Sequence, residues 1–590
     1  MALTLSERYF AASYNSFGGL GSALLRLFRG LPMDLSRAGM HIHPEAYLSG
    51  VLMGIFTTLV ASIASTVLLL PFFGLISFTA LAAPAIIFLI LLGYPRMKAS
   101  SITSGLEAEV PYAAAYISVM AAGGISPYKS IQRLKNAEEL LANLATEAKR
   151  VDIEVRAFGI DPVAAIENSA KRVPSKEYAD LLLGYASTLR VGGDVVHYLH
   201  RRVEMIFRER LSKIKLVGER IAMLMEAYIA FSSITALTFY VIFIIARAFP
   251  NLEGGFATPA TFVLFVWVLM PMVAVFFVYL VDVMQPKYPR TYWPPNKVMK
   301  YSIILAAILY PILLLPKYLD IPFLNTIPLH GLLDRIRIIL GLQPGYSLSV
   351  SLSVLTLVVL APTAFSEIRY GSLSERMVRG MTSFLRDLVE IRKTGLSPER
   401  CIINLTHRSY GVFNRILTAV AVKLMLGIPY REIYLGLRRR VSGWITNVNF
   451  FLLVDVIDVG GGTPETLEAL ARFSEETQLI ERERVSMMRP LILLPYISSL
   501  VILGTALVMI YFVRALMLQS GRYFAYNEFI DLFVPPIVFM NIFSGLVAGK
   551  VSSERVSGGF KHAFILTGVT LLAFVLSTYL EPWLTPSPMS

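Results

Sequence analysis

The sequence predicts an all-α, polytopic integral membrane protein with about nine transmembrane helices and two duplicated cytoplasmic helical-bundle domains. Three observations lead to this prediction. The 590 residues are 55% hydrophobic and only 16% charged, whereas about 25% of residues are charged in a typical soluble protein. Several long runs contain no charged residue. Two polar stretches, 95–222 and 366–489, repeat the same order of turns and helices.

Charge-free runs define the transmembrane helices. No charged residue occurs between Glu45 and Arg96, which is enough for two helices of about 20 residues across a core of about 30 Å. Pro311 and Pro316 interrupt the fifth apolar run. The nine predicted helices are 48–70, 73–93, 226–247, 258–281, 300–316, 346–364, 491–513, 531–549 and 562–580.

The helices and polar stretches together divide the chain into seven predicted segments. Four of them are polar and three are groups of membrane helices. In order they are an N-terminal cytoplasmic segment (1–47), a transmembrane pair (48–93), cytoplasmic helical domain 1 (95–222), four transmembrane helices (226–364), cytoplasmic helical domain 2 (366–489), three transmembrane helices (491–580) and an external tail (581–590).

The distribution of basic residues predicts the orientation in the cell membrane. The loop 282–299 carries three Lys/Arg against one acidic residue, while the loop 248–257 carries Glu253 and no Lys or Arg. Excess Lys/Arg marks cytoplasmic loops. The N-terminus and both polar domains are therefore predicted inside and the C-terminus outside. The net charge of +13 is attributed to these cytoplasmic regions and not to nucleic-acid binding.

The sequence offers no catalytic, cofactor or metal site. Cys401 is the only cysteine, which excludes an intramolecular disulfide and a zinc-binding cysteine cluster. The string "GLVAGKV" at 545–551 has the wrong spacing for a phosphate-binding loop and lacks Ser or Thr after Lys550. HExxH is absent. We therefore expect a non-enzymatic protein without cofactors.

Two pairs of turns recur at nearly constant offsets. "AGGISPYKSI" at 122–131 matches "KTGLSPERCI" at 393–402, and "VGGD" at 191–194 matches "VGGG" at 459–462. In each, glycine favours a helix C-terminal cap, and in or directly after three of the four strings a Ser-Pro or Thr-Pro favours the next helix start. Internal duplication is therefore predicted. The predicted turn residues are Gly124, Pro127, Gly395, Pro398, Gly192, Gly193, Gly460, Gly461, Gly462 and Pro464.

The layout resembles a known family. A basic helical domain, a double-glycine turn and a glutamate-rich helix that enters the membrane, as in "DVGGGTPETLEALARF" at 458–473, resemble the type II secretion F-domain family. These proteins are the polytopic platforms of type IV pilus-like machines. Two such domains in one long chain are similar to the archaeal members, which serve archaella and adhesive pili. The resemblance covers roughly 95–250 and 366–515.

The resemblance implies a function in pilus biogenesis and protein secretion. A hexameric secretion ATPase would dock beneath the cytoplasmic domains, and the membrane helices would pass pilin or archaellin subunits from the lipid bilayer into a filament. It also implies a homo-oligomer, either a dimer or a trimer. The first copy, "RVGGDVVHYLHRRV" at 190–203, lacks the Thr-Pro of the second.

Charge clusters are the candidate contacts for the ATPase. The alternative interpretations are a solvated face, contact with anionic lipid, or i,i+4 pairs within one helix. The candidates are Arg438, Arg439, Arg440, Lys171, Arg172, Arg201, Arg202, Glu475 and Glu476.

Two other functions compete with the platform. A secondary transporter often contains inverted repeats and charges at the membrane midplane, but this duplication is parallel and the apolar runs carry almost no charge. A membrane enzyme acting on lipid-linked substrates would need a clustered acid/base set. The sequence favours the platform, with the transporter as the alternative.

Overall fold

The computed structural model describes residues 5–28, 30–40, 42–73, 83–173, 175–248, 259–285, 293–318, 329–519 and 525–584, and all regular structure within these ranges is helical. The chain forms two compact units. The first unit comprises Met1–Ala114, Pro127–Leu199 and Lys287–Pro289. The second comprises Ala115–Ser126, His200–Pro286 and Arg290–Ser590.

Twenty-four α-helices follow one another along the described chain. In the N-terminal part they are α1 Leu5–Leu27, α2 Leu31–Arg37, α3 Pro44–Phe73, α4 Ala83–Ala122, α5 Pro127–Leu134, α6 Ala142–Phe158, α7 Pro162–Arg172, α8 Lys176–Val191, α9 Val195–Ile229, α10 Thr235–Ala248, α11 Pro259–Leu264 and α12 Met270–Met284. The remainder are α13 Pro294–Tyr318, α14 Leu329–Ile339, α15 Ser347–Arg392, α16 Pro398–Leu405, α17 Asn414–Met425, α18 Tyr430–Leu437, α19 Trp444–Asp458, α20 Pro464–Leu491, α21 Leu493–Gln519, α22 Tyr526–Phe533, α23 Pro535–Ser553 and α24 Val556–Leu584.

Seven helical stretches of the described chain are long and apolar enough to cross a membrane. Each contains one of the nine predicted spans or most of it, which confirms an all-α polytopic membrane protein. The second predicted span, 73–93, falls partly on 74–82, outside the described residues. The fifth, 300–316, lies within α13 and is not among the seven. The seven are Pro44–Ala64, Val195–Ala246, Phe265–Met284, Pro344–Arg392, Pro464–Gln519, Tyr526–Ser553 and Val556–Tyr579.

Long helices continue from apolar into polar sequence without a break. The boundaries expected near 94 and 365 lie inside α4 and α15, although these helices contain Pro95, Pro111 and Pro362. A helix satisfies its own backbone hydrogen bonds in lipid and in water, so leaving the membrane requires no turn. Along α4 and α15, only the appearance of charged side chains marks where the helix passes from lipid to water.

The order of helices is the same in the two halves of the chain. We call α4–α10 the first repeat and α15–α21 the second repeat. A long helix is followed by a short one that starts with Ser-Pro, then by three helices, and finally by a long charged helix that leads into an apolar one. The equivalent pairs are α4 and α15, α5 and α16, α6 and α17, α7 and α18, α8 and α19, α9 and α20, and α10 and α21.

In the first unit, α1, α2 and α3 share a small apolar core around Leu35, Tyr47 and Leu48. The Tyr47 hydroxyl donates to the Leu91 carbonyl at 2.6 Å, which joins α3 to α4. Farther along, the Ser169 and Tyr178 hydroxyls are hydrogen-bonded at 3.0 Å between α7 and α8. The second unit contains a large core, which is rich in aromatic side chains such as Phe262, Phe533 and Phe574.

Candidate functional site

Three of the predicted turns meet in the second unit. They are the α4–α5 turn at 123–126, the α15–α16 turn at 393–397 and the α19–α20 turn at 459–463. A Cβ atom on Gly123 would lie 3.4 Å from the Gly461 Cα, and a Cβ on Gly462 would lie 2.7 Å from the Pro398 Cγ. Small residues are therefore required where the turns touch. We call this arrangement the turn cluster.

Hydrogen bonds fix the turn cluster. The Arg392 Nε donates to the Gly462 carbonyl at 2.8 Å, and its Nη1 donates to the Leu396 carbonyl at 2.8 Å. Ser397 and Thr463 are the N-caps of α16 and α20, and each side-chain oxygen accepts from a backbone N–H three residues later. These caps satisfy N–H groups that a helix N-terminus leaves without partners.

The predicted turn residues lie at the ends of helices. Pro127, Pro398 and Pro464 are the first residues of α5, α16 and α20. Four of the seven predicted turn glycines have a positive φ: Gly124 (75°), Gly192 (74°), Gly395 (89°) and Gly460 (86°). The other three, Gly193, Gly461 and Gly462, do not. Gly192 is the C-cap of α8 in the first unit. Positive φ favours glycine, because in other residues the Cβ atom comes too close to a backbone carbonyl oxygen there.

The long helices α9 and α20, which are equivalent in the two repeats, lie against each other in the second unit. Phe207 and Phe473 contact edge to face, with ring centroids 5.7 Å apart. Along the same pair, the Lys215 Nζ lies 3.7 Å from a Glu483 carboxylate oxygen. The interpretation of the α20 charges as pairs within one helix therefore accounts for only some of them.

The two acidic candidates, Glu475 and Glu476, both lie beside charges on other helices. Glu475 forms an ion pair with Arg386 of α15 at 2.5 Å. Glu476 is partly buried next to Glu204 and Arg472. Glu475 thus has an intramolecular partner, and Glu476 lies near charges of both signs.

The basic candidates differ in their exposure and in whether they form ion pairs. Arg439 and Arg440 are exposed just after α18, and Arg438 is partly buried. Lys171 is exposed at the end of α7, whereas Arg172 next to it forms ion pairs with Glu154 at 2.6 Å and Glu147 at 3.5 Å. Arg201 and Arg202 lie in the second turn of α9, the first exposed and the second partly buried.

Sequence reasoning missed a cluster of charges between α20, the α23–α24 turn and α12. The buried Arg484 of α20 pairs with Glu481 and with Glu554, whose carboxylate lies 2.9 Å from its Nη1. Lys550 pairs with Asp282 of α12 at 2.6 Å and donates to the Glu554 carbonyl at 2.7 Å. We call these residues the ion cluster. Mixed charges at 550–555 are its only trace in the sequence.

A second group of contacts extends the ion cluster to α13 and α15. The Arg555 guanidinium stacks on the Trp293 ring at 3.5 Å. Trp293 Nε1 and the Ser557 hydroxyl both donate to one Glu367 oxygen, at 3.0 and 3.1 Å. The middle of α15 and the C-terminal part of α20 are thereby tied to the α23–α24 turn.

The string that superficially matched a phosphate-binding loop has a packing role. A Cβ on Gly545 would lie 2.3 Å from the Ala563 Cα, and a Cβ on Gly549 would lie 2.0 Å from the Gly559 Cα. Glycines spaced by four residues let two membrane helices approach closely. "GLVAGKV" therefore marks the contact of α23 with α24.

In the part of the chain that the structure describes, no group of His, Cys, Asp or Glu side chains is arranged to hold a metal ion. The single cysteine, Cys401, is buried in α16. Within the described residues, the candidate site consists of turns, ion pairs and closely packed helices.

The turns and helices described above coincide with matches to known proteins. The family model of the type II secretion system (T2SS) protein F matches residues 113–243 and 384–511. An uncharacterised protein of Methanocaldococcus jannaschii is 19% identical over 511 residues, which are 83% of each chain. Flagella accessory protein J of the same organism is 24% identical over 322 residues, which are 52% of this chain and 54% of that protein. No solved structure matches the chain.

The two family matches cover equivalent parts of the two repeats. Each starts within the long first helix, α4 or α15, and ends within the apolar last helix, α10 or α21. Each also contains the two turns that recur in the sequence. Each of the two repeats thus carries one match to the type II secretion system protein F family model.

Proposed function

We propose that this protein is the non-enzymatic membrane platform of a type IV pilus-like machine that assembles an archaellum or an adhesive pilus. A cytoplasmic secretion ATPase would drive it, and its membrane helices would transfer pilin subunits into the filament. The observation that carries the proposal is the pair of protein F matches on the two repeats. Similarity to a flagella accessory protein supports it.

In this proposal the protein lies in the cell membrane with the N-terminus and both polar domains, 95–222 and 366–489, in the cytoplasm. The C-terminus is outside. The excess of Lys/Arg in 282–299 and 550–561 supports this orientation. The ATPase then meets the two domains from the cytoplasm, and the platform forms a dimer or a trimer.

Continuous helices support a mechanical role for the second repeat. A displacement at the turn cluster is carried by α15 and α20, which run without a turn toward the apolar helices. The ion cluster then links α20 to α23 and α24. Buried ion pairs that lose one partner are strongly destabilised, so we expect these helix ends to move together.

The proposal is tested by co-expression with the secretion ATPase of the same genome. We expect the two proteins to co-purify and ATP turnover to change. Binding should fall as salt rises, because the screening length shrinks from about 10 Å at 0.1 M to about 3 Å at 1 M. Pull-down and turnover are measured over a salt series, with a polytopic transporter of the same host as the control.

Absence of association, both in detergent and in lipid nanodiscs, would contradict the platform. Flux of a solute through the purified protein in liposomes would then favour the secondary transporter.

A further inference from the structure

The second repeat presents bulky apolar side chains to solvent at the end of α17 and on α18. Met425 and Leu426 are 63% and 71% exposed, and Val422 and Leu435 are each 49% exposed. Clustered apolar side chains on a polar domain mark interaction sites more often than single ones do. We call these four residues and the cations beside them the α17–α18 surface.

The cations of this surface are Lys423, Arg439 and Arg440. None of the three forms an ion pair with the described part of the chain. The Lys423 ammonium lies directly over α18, because a Cβ on Gly436 would be 2.7 Å from its Nζ. From 422 to 440 the sequence has five basic residues and one acidic residue. The surface therefore attracts carboxylates.

The first repeat neutralises the equivalent position with its own carboxylates. Arg172 at the end of α7 corresponds to Arg440 at the offset of 268 set by Gly159 and Gly427. Arg172 pairs with Glu154 and Glu147 on α6. The equivalent helix α17 has no acidic residue, and the position that corresponds to Glu154 at this offset is Val422.

Position in the fold separates this surface from the apolar helices. The Tyr430 hydroxyl donates to Glu399 at 2.9 Å, which places the α17–α18 turn beside the first turn of α16. That turn follows the charged part of α15, Glu367–Arg392, which is about 39 Å long at 1.5 Å per residue. Lipid headgroups at the apolar end of α15 are therefore distant from Leu426.

We propose that the α17–α18 surface binds an acidic, amphipathic segment of a cytoplasmic protein, with carboxylates on Arg439 and Arg440 and apolar side chains on Met425 and Leu426. The two repeats then play different parts, because the first pairs Arg172 with carboxylates and the second offers the equivalent Arg440 to a partner. The identity of the partner as the ATPase rests on the proposed function; the chemistry of the bound segment does not.

The probe for the test is a fluorescent synthetic helix with a leucine face and a glutamate face, titrated onto the full chain in nanodiscs. We expect binding to the unaltered protein and at least about tenfold weaker binding to Arg439→Ala with Arg440→Ala. The matched control, Lys171→Ala with Arg172→Ala in the first repeat, should bind as the unaltered protein does. Thermal unfolding verifies that each variant is folded.

Lys423→Glu gives a second variant. It replaces the ammonium that lies over Gly436 with a carboxylate, so the surface loses one positive charge and gains a negative one, and peptide binding should be lost while the melting temperature is retained. Equal binding by the unaltered protein and the Arg439→Ala, Arg440→Ala variant would overturn the proposal, as would no peptide binding at all.

Lipid is distinguished by an environment-sensitive dye on Leu426→Cys in a Cys401→Ser background. A blue shift caused by anionic lipid alone would assign the surface to the membrane and overturn the proposal. The cognate ATPase is then titrated onto the same variants. If it binds all of them equally, the platform stands and the surface is not its dock. If the ATPase binds neither the unaltered protein nor any variant, the proposed platform function is contradicted. The peptide titration still tests whether the α17–α18 surface binds an acidic, amphipathic segment.

Discussion

Glu109 is a buried carboxyl that takes the place of a helix cap. The N-cap residue of α6, Leu141, offers no side-chain hydrogen bond. Instead, Glu109 of α4 accepts from the backbone N–H of Asn143 at 3.3 Å and of Leu144 at 2.9 Å. Burial nevertheless raises the pKa of Glu109 to about 7, because the charged form is poorly solvated there.

This raised pKa predicts a pH dependence of stability. The folded chain keeps the proton of Glu109 up to about pH 7, whereas the unfolded chain releases it near 4.5. The folded state therefore binds more protons in this window, and the free energy of unfolding should fall as pH rises from 4.5 to 7. Thermal unfolding at a series of pH values, with Glu109→Gln as the comparison, measures the slope.

In Glu109→Gln the contribution of this group to the slope should vanish. The variant should also lose about 1 kcal/mol at low pH, since the amide NH2 faces the Leu144 N–H. An identical pH slope in both proteins would show that another group is responsible.

Glu109 shows the limit of sequence reasoning at the residue scale. The turn glycines and Ser-Pro starts are predictable because the signal lies within a few neighbouring residues. Glu109 acts on a helix more than 30 positions away, and no local pattern connects the two.

At the scale of elements, several helix ends of both repeats were predictable from the glycine and Ser-Pro or Thr-Pro turns, and the partners of these helices were not. The spacing of charges in α20 predicts neighbours on the same helix. The structure pairs Glu475 with α15 and Glu483 with α9 instead. Charges of the α23–α24 turn, which sequence reasoning used only to orient the loops, belong to the ion cluster.

The ion cluster predicts a coupled effect of two substitutions. Arg484→Met leaves Glu481 and Glu554 without their shared cation, so the free energy of unfolding should fall by about 3 kcal/mol. With Glu554→Gln added, the loss should be smaller than the sum of the two single losses by about 1 kcal/mol or more. Reversible unfolding in mixed detergent micelles measures the cycle.

Arg482→Met is the matched control, because Arg482 is exposed on the same helix. It should change stability by no more than about 0.5 kcal/mol. Strict additivity of the Arg484 and Glu554 substitutions would mean that the pair is not coupled.

At the scale of the whole molecule, composition and duplication were sufficient for the fold class, and the resemblance of layout and motifs pointed to the family. The number of membrane helices and their orientation depend on apolar length and loop charge, which say nothing about the division into two units. That division separates the first repeat at Ala114 and at Leu199, inside helices that look continuous in the sequence. Contacts between residues that are far apart in the sequence determine this division.

The proposed orientation predicts which sites face the cytoplasm. In a Cys401→Ser background, Val191→Cys and Leu426→Cys should react with a membrane-impermeant maleimide in inverted vesicles and not in intact cells. Both side chains are well exposed, Val191 at 84% and Leu426 at 71%. Ser590→Cys should show the opposite pattern. Labelling of Leu426→Cys in intact cells would reverse the orientation.

The uninterrupted course of α15 makes it a lever. Its charged part extends about 39 Å beyond the apolar part at 1.5 Å per residue, so a tilt of about 10° at the membrane moves the far end by about 7 Å. A small rotation among the membrane helices is thus magnified at the turn cluster. In the proposed function, a stroke of the ATPase at the far end would reach the bilayer as a smaller displacement of the apolar part of α15.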